Sequence, residues 1–173
     1  VQGDDNDYYL THTFNRTYIG NGCLFVDYRI KDGLNANHIL IYGHSMNSGA
    51  MFGSLYHYKS SSFYRTEGND VFYIYTGDVI REYKIFTVYV TDPISETFTF
   101  NFSNIEGLRD YARRVKDESI YDTGVDISKT TQVVTFSTCT NNSKQRLIVS
   151  GTFTGETKLD NGASSESASA VSD

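Results

Sequence analysis

Three side chains with usable chemistry stand out in this chain of 173 residues: Cys139 within "TFSTCTNNSKQRLIVS", Arg146 seven residues further on, and His44, which closes "HILIYGH" about 95 positions upstream. A cysteine becomes a good nucleophile when a nearby cation or base favours its thiolate, and an imidazole can carry protons to and from it. Arg146 stays protonated at any ordinary pH, so it is no base; its guanidinium suits donation to a carbonyl oxygen that gains charge as sulfur attacks. Together the three would make an acyl-transfer site. Each also has a plain reading. Free cysteine is among the most buried residue types, a histidine after "YG" fits a turn or a satisfied core position, and Arg146 fits a surface ion pair. The residues alone leave both sets of readings open.

The elements that must position these groups read mostly as strands. "GCLFVDYRI", residues 22 to 30, alternates Leu24, Val26 and Tyr28 against Cys23, Phe25 and Asp27. "HILIYGH" is a short continuous apolar run, as expected of a strand buried on both faces. "TTQVVTFST" and "QRLIVSGTFTG" are the last two strands, joined by the loop "CTNNSK". All three candidate residues therefore fall at or beside strand ends, where a sheet can hold side chains accurately. Between them, "DVFYIYTGDVIREYKIFTVYVT" holds two β runs around Gly77 and predicts a hairpin. Pro93 ends the second run and opens a loop.

Two helices are predicted. Met51, Leu55 and Tyr58 lie at helical spacing behind Asn47 or Ser48 as N-cap. The clearer one runs over 103–117: Ser103 and Glu106 form a capping box, and Ile105, Leu108, Tyr111, Ala112 and Val115 make one apolar face. The basic residues opposite read as a solvated helix face. The tail from residue 158 to 173, ending "NGASSESASAVSD", has too little apolar content to fold and is expected to be disordered.

Composition narrows the functional classes. Fourteen Tyr, eleven Phe and clustered β-branched residues lean towards a β-rich domain. A net charge of −6 argues against nucleic-acid binding, which asks for a basic patch. No CxxC, HxxxH or paired-carboxylate spacing assembles a metal shell, so no metal is expected. Two cysteines allow one disulfide, which spacing cannot decide. No run of about 18 apolar residues spans a membrane. The chain opens at "VQGDDNDYYL" without Met, as a trimmed or processed product would.

"NHILIYGHSM" followed by "GAMFGSL", then "VVTFSTCT", then the Arg that opens "RLIVSG", resemble in this order the sortase transpeptidases of Gram-positive bacteria. The capped helix between the Pro93 loop and the Cys139 strand resembles the additional helix of class B. The resemblance covers about residues 1 to 155. It implies a mainly β fold: a closed, mostly antiparallel sortase-type β-barrel with peripheral helices, including a long helix around 103–117. The catalytic domain would be 1–157, with the N-terminal helices, first strand and membrane anchor of the class missing.

By this resemblance Cys139 attacks the Thr carbonyl of a C-terminal sorting signal and leaves a thioester. His44 protonates the leaving amine and then deprotonates the incoming amine of a peptidoglycan precursor or cross-bridge, while Arg146 stabilises the oxyanion. The resemblance further implies substrate contacts at Asn6, Leu10 and Ser137, and at Glu96, Thr97 and Phe98 in the loop from Thr91 to Phe98. No cofactor is implied. The partners would be the sorting-signal peptide and a cell-wall amine, the location the outer face of the membrane through an anchor, and the state a monomer. Thr140 stands where the class often has an acidic residue, and Cys23 where it has a small or hydroxyl residue; Cys23 reads as packing. Rival readings are a Cys L,D-transpeptidase or cysteine peptidase, and a non-catalytic extracellular β-domain. L,D-transpeptidases usually carry Gly before the Cys and Arg close behind, whereas here Thr138 precedes it and Arg146 is seven away.

Overall fold

A computed structural model describes residues 1–140 and 144–159. Six strands, β1 (Phe25–Val26), β2 (His38–Tyr42), β3 (Val71–Thr76), β4 (Val79–Thr91), β5 (Val133–Cys139) and β6 (Arg146–Lys158), form one sheet in the order β1-β2-β5-β6-β4-β3. Four of the five pairings are antiparallel, and β2 with β5 is parallel. Both faces of β2 are covered, which explains "HILIY": His38 packs against Tyr111 of the helix that follows on one face, and Ile39 lies in a core cluster with Tyr83 and Val134 on the other. The two-residue turn Gly77–Asp78 joins β3 to β4, with Gly77 at φ +62°, as the primed hairpin turns require.

The sheet is curled. Phe72 on edge strand β3 and Phe136 on β5 have ring centroids 4.6 Å apart. Along a flat sheet those strands would be separated by three ladder spacings, about 14 Å. Phe72 also lies over Gly151 of β6, where an added Cβ would come within 2.4 Å of its ring, so the missing side chain makes room for the bend. Val26 of β1 and Ile74 of β3 pack against the same core cluster of Ile39, Tyr83 and Val134. Among the described residues the six strands make a curled, half-barrel sheet: β1 offers only two residues for pairing, and no ladder joins it to β3.

One helix, α1 (Ser61–Tyr64), follows a 3-10 segment Gly53–Lys59. The helix expected behind Asn47 or Ser48 is thus replaced by tighter turns. Gly49 and Met51 take left-handed backbone, φ +83° and +52°, which breaks α-helical continuation there. The second helix, α2 (Ile105–Asp117), buries Leu108, Tyr111, Ala112 and Val115 against Phe86, Tyr89, Val133 and Ile148 of the sheet. Its N-cap is Asn104, whose Oδ1 accepts from the Gly107 N–H at 3.0 Å, rather than Ser103. The helix therefore covers 13 residues and begins two later than predicted. On its outer side Arg109 and Lys116 donate to the Thr130 and Val125 carbonyls, so these two basics tie the helix to the following loop.

Between α2 and the sheet lies a buried polar chain. His38 Nδ1–H donates to the Thr99 carbonyl at 2.7 Å, Nε2 accepts from the Thr135 hydroxyl at 2.9 Å, and Ser150 meets Thr135 at 2.9 Å. Burial drives the His38 pKa down to about 4, so the ring is neutral and ties β2, β5 and the segment before α2 together.

No helix among the described residues is long and apolar enough to cross a membrane. The 158–173 tail falls outside the described residues beyond Leu159, as do residues 141–143 of the loop after Cys139.

Candidate active site

Strand periodicity puts the candidate residues on one face. Along β5, Val133, Thr135, Ser137 and Cys139 share the side that meets α2; along β6 it is Arg146, Ile148 and Ser150; along β2 and its extension it is His38, Leu40, Tyr42 and His44. Register does the rest. Cys139, the last residue of β5, is paired with Arg146, the first of β6. On its other side β5 runs parallel to β2 with Tyr42 beside Ser137. The pairing continues past the strand, since Gly43 N–H donates to the Ser137 carbonyl and the Thr138 hydroxyl donates to the Gly43 carbonyl at 2.7 Å. One further step brings His44 level with Cys139. Cys139 thus lies between His44 and Arg146 in the order of three adjacent strand ends.

The three open into one cavity of about 540 Å³. Its floor is Tyr42, Gly43, Ser137 and Thr138. One wall is the N-terminal segment with Asn6, Asp7 and Leu10, backed by Phe25 and Arg29; the other is the loop after β4 with Pro93, Ile94, Ser95 and Phe98. Cys139 and Arg146 are half-buried, and both cysteines are free thiols, so there is no disulfide. Burial pushes the Cys23 thiol above its ordinary pKa.

The hydrogen bonding of His44 is informative. Its Nε2 lies 2.8 Å from the Leu10 carbonyl. A carbonyl only accepts, so Nε2 carries a proton in the neutral and the charged ring alike. Nδ1 is left as the nitrogen that can give or take one. Arg146 donates from Nη1 to the Gln145 carbonyl at 3.2 Å, which directs the fork at the strand end.

Of the predicted substrate contacts, Asn6, Leu10, Ser137 and Phe98 line this cavity. Ser137 is 1% exposed, and its hydroxyl is the one buried side-chain polar atom without a partner among the described residues. Such a group normally has one, so this hydroxyl is available to a ligand. The Asn6 amide is already engaged: Nδ2 donates to Asp27 at 3.0 Å and Oδ1 accepts from the Tyr28 N–H at 3.1 Å. Glu96 and Thr97 are not brought to the cavity. The 3-10 turn Glu96–Phe98 turns Glu96 out to Arg114 of α2 and Thr97 in, where its hydroxyl meets Tyr89 at 2.7 Å; Phe98 alone faces the site.

The cluster of Asp27, Arg29 and Tyr42, in which buried Asp27 supports two cavity-lining residues, was not singled out from the sequence. Asp27 is fully buried and accepts from Arg29 Nε at 2.9 Å, Arg29 Nη2 at 2.7 Å and the Tyr42 hydroxyl at 2.8 Å. Burial alone would raise its pKa, but the hydrogen bonds from Arg29 and Tyr42 outweigh it and hold the carboxyl below its ordinary value. The available signal was a charge inside an otherwise apolar run, "CLFVDYRI". Among the described residues no group of three His, Cys, Asp or Glu is placed to hold a metal ion.

The fold and this constellation define a class, and comparison with known proteins agrees. Residues 5–154 match the family model "Sortase domain", and the chain belongs to the sortase family, within its class B. It is 31% identical over 154 residues to Sortase B of Listeria monocytogenes, covering 87% of this chain and 62% of that protein. The solved structure of the Listeria enzyme superposes with a TM-score of 0.76 at 32% identity, covering 88% of this chain and 84% of that one. Clostridium perfringens sortase B gives a TM-score of 0.78 at 27% identity, covering 90% and 85%. A Staphylococcus aureus sortase B–substrate complex shares the fold with a TM-score of 0.78 at 23% identity, covering 89% and 72%. The chain thus spans about three fifths of the length of the curated relatives it matches.

Proposed function

We propose that this chain is a cysteine transpeptidase that cleaves a C-terminal sorting signal after Thr and passes the acyl group to a cell-wall amine. The observation that carries the reading is the register: Cys139 is cross-paired with Arg146 and level with His44, all three facing one cavity. The Cys139 sulfur bonds to the Thr carbonyl carbon as the C–N bond breaks. His44 gives a proton to the departing amine and leaves a thioester. The incoming amine attacks that thioester, His44 takes the amine's proton, and the C–S bond breaks to free the thiolate. Arg146 donates to the carbonyl oxygen while it carries charge. The unpartnered Ser137 hydroxyl and the apolar side chains of Leu10 and Phe98 hold the peptide; Asn6 shapes the wall with its backbone and an amide tied to Asp27.

Staphylococcus aureus sortase B, which shares this fold, is solved as a complex with its substrate. Family membership supports a peptidoglycan amine as acceptor, action on the outer face of a Gram-positive membrane through an anchor, a monomer, and a barrel closed by a further strand between the edges β1 and β3. The test is a panel of quenched sorting-signal peptides incubated with the wild type and with Cys139→Ala. We expect cleavage after Thr for at least one signal and none with the variant, whose thermal unfolding stays cooperative. No Cys139-dependent cleavage across the panel would overturn the proposal.

A further inference from the structure

We propose that Asp27 is a positioning residue for the proton-transfer step: its carboxylate ties together the two backbone segments that clamp His44, and so fixes the imidazole with Nε2–H on the Leu10 carbonyl and Nδ1 to the cavity. The inference rests on the reading of His44 as the proton carrier.

The two segments are tied within a few residues of the clamp. Asp27 Oδ2 accepts from Tyr42, two residues before His44, and from Asn6, four before Leu10. The main chain of residue 27 repeats the connection: its N–H donates to the Leu40 carbonyl at 2.9 Å and its carbonyl accepts from Gln2 Nε2 at 2.7 Å. Asn6 adds a bond from the Tyr28 N–H, and Tyr9 packs on Phe25 with centroids 6.3 Å apart, so the short turn Tyr8–Leu10 has little freedom to carry its last carbonyl away.

Arg29 completes the device. It saturates Asp27 with Nε, Nη2 and its own backbone N–H, and its guanidinium carbon lies 4.8 Å from the Phe100 ring centroid. An apolar staple would join the same segments without the desolvation cost of a buried charge. What the carboxylate adds is direction, since five hydrogen bonds converge on its two oxygens and none can slide. Asp7, Arg29, Tyr42, Cys139 and Arg146 are the titratable groups that share the cavity with His44. Asp27 itself does not line it and so acts through its partners.

The test uses Asp27→Asn in the full chain, with Tyr42→Phe combined with Asn6→Ala as an alternative that cuts two ties and leaves the buried Asp27–Arg29 pair intact. Long-range 1H–15N spectra report the imidazole tautomer; the His44 signals are identified by their loss in His44→Ala. The wild type should show the neutral His44 ring with Nε2–H and Nδ1 unprotonated. In either variant we expect tautomer mixing and a fall of at least tenfold in kcat, with KM changed less than threefold. A folded variant with the wild-type His44 spectrum and kcat overturns the proposal, as does a wild type without the Nε2–H form; should Asp27→Asn not fold, the double variant decides. The spectra need no substrate. A wild type with the expected tautomer but no turnover of any signal peptide would therefore refute the transpeptidase reading and not this one.

Discussion

Gly43 links the floor of the cavity to His44, and Gly43→Ala is the sharpest steric probe of the site. A Cβ built there would meet Leu24 Cδ2 at 2.4 Å, Phe52 Cδ2 at 2.8 Å and Phe52 Cγ at 3.0 Å. Leu24 is partly exposed and its methyl is the end of a flexible chain, so it can swing away. Phe52 cannot do so cheaply: it is 7% exposed and packs on Phe136 with centroids 5.2 Å apart. Ordinary carbon contact needs about 3.5–4.0 Å, so the backbone at 43 must retreat by about 0.5–1 Å. A shift of about 1 Å in a reacting group can cost on the order of 100-fold in rate, and overpacking of a core typically costs about 1–3 kcal/mol. The expected outcome is a loss of about 10- to 100-fold in kcat/KM with a stability loss of about 1–3 kcal/mol, read by peptide cleavage and urea unfolding. Phe52→Leu in the same chain should restore part of the activity by yielding space. Near-wild-type turnover of Gly43→Ala, or no recovery in the double variant, would refute the steric coupling of Phe52 to His44.

Arg146→Lys should lower kcat by about 100-fold or more with a smaller change in KM, because an ammonium cannot reproduce the directed fork; activity near wild type would remove Arg146 from the site. Stability should fall on the acid side through His38. Its folded pKa of about 4 lies below the ordinary histidine value of about 6.5, so the unfolded chain takes up the proton first and stability is lost as pH drops between those values. The loss through this group is about 2 kcal/mol by pH 5 and about 3 kcal/mol by pH 4. Urea unfolding of wild type against His38→Gln across pH 4 to 7 should show their difference shrinking by that amount; a constant difference would contradict the account of a neutral buried ring.

Several elements were legible in the chain because their determinants are local. The alternation at 23–28 has Phe25 and Asp27 inside with Leu24 and Tyr28 outside, and the apolar period of α2 picks out its buried face. The length of β1 was not legible, because residue 27 keeps only its N–H bond to the Leu40 carbonyl of β2 while its own carbonyl accepts from Gln2, which is distant in sequence. The tight turns at 53–59 were misread as a helix since Leu55 falls at the same spacing either way, and left-handed backbone at Met51 has no sequence signal. Cys139, His44 and Arg146 were recognisable as a set through family resemblance. Their juxtaposition depends on the parallel β2–β5 register, which joins segments about 95 residues apart and which no local pattern encodes.

In the proposed function Cys139 carries the acyl group of a peptide cut after Thr. Intact-mass and peptide-mapping spectrometry of the protein, quenched in acid after mixing with a cleaved signal peptide, tests it directly. A mass increase equal to the N-terminal fragment is expected on the peptide that contains Cys139, discharged by added hydroxylamine or an oligoglycine amine and absent in Cys139→Ala. Cleavage that proceeds with no adduct on Cys139, or an adduct on Cys23 instead, would contradict it.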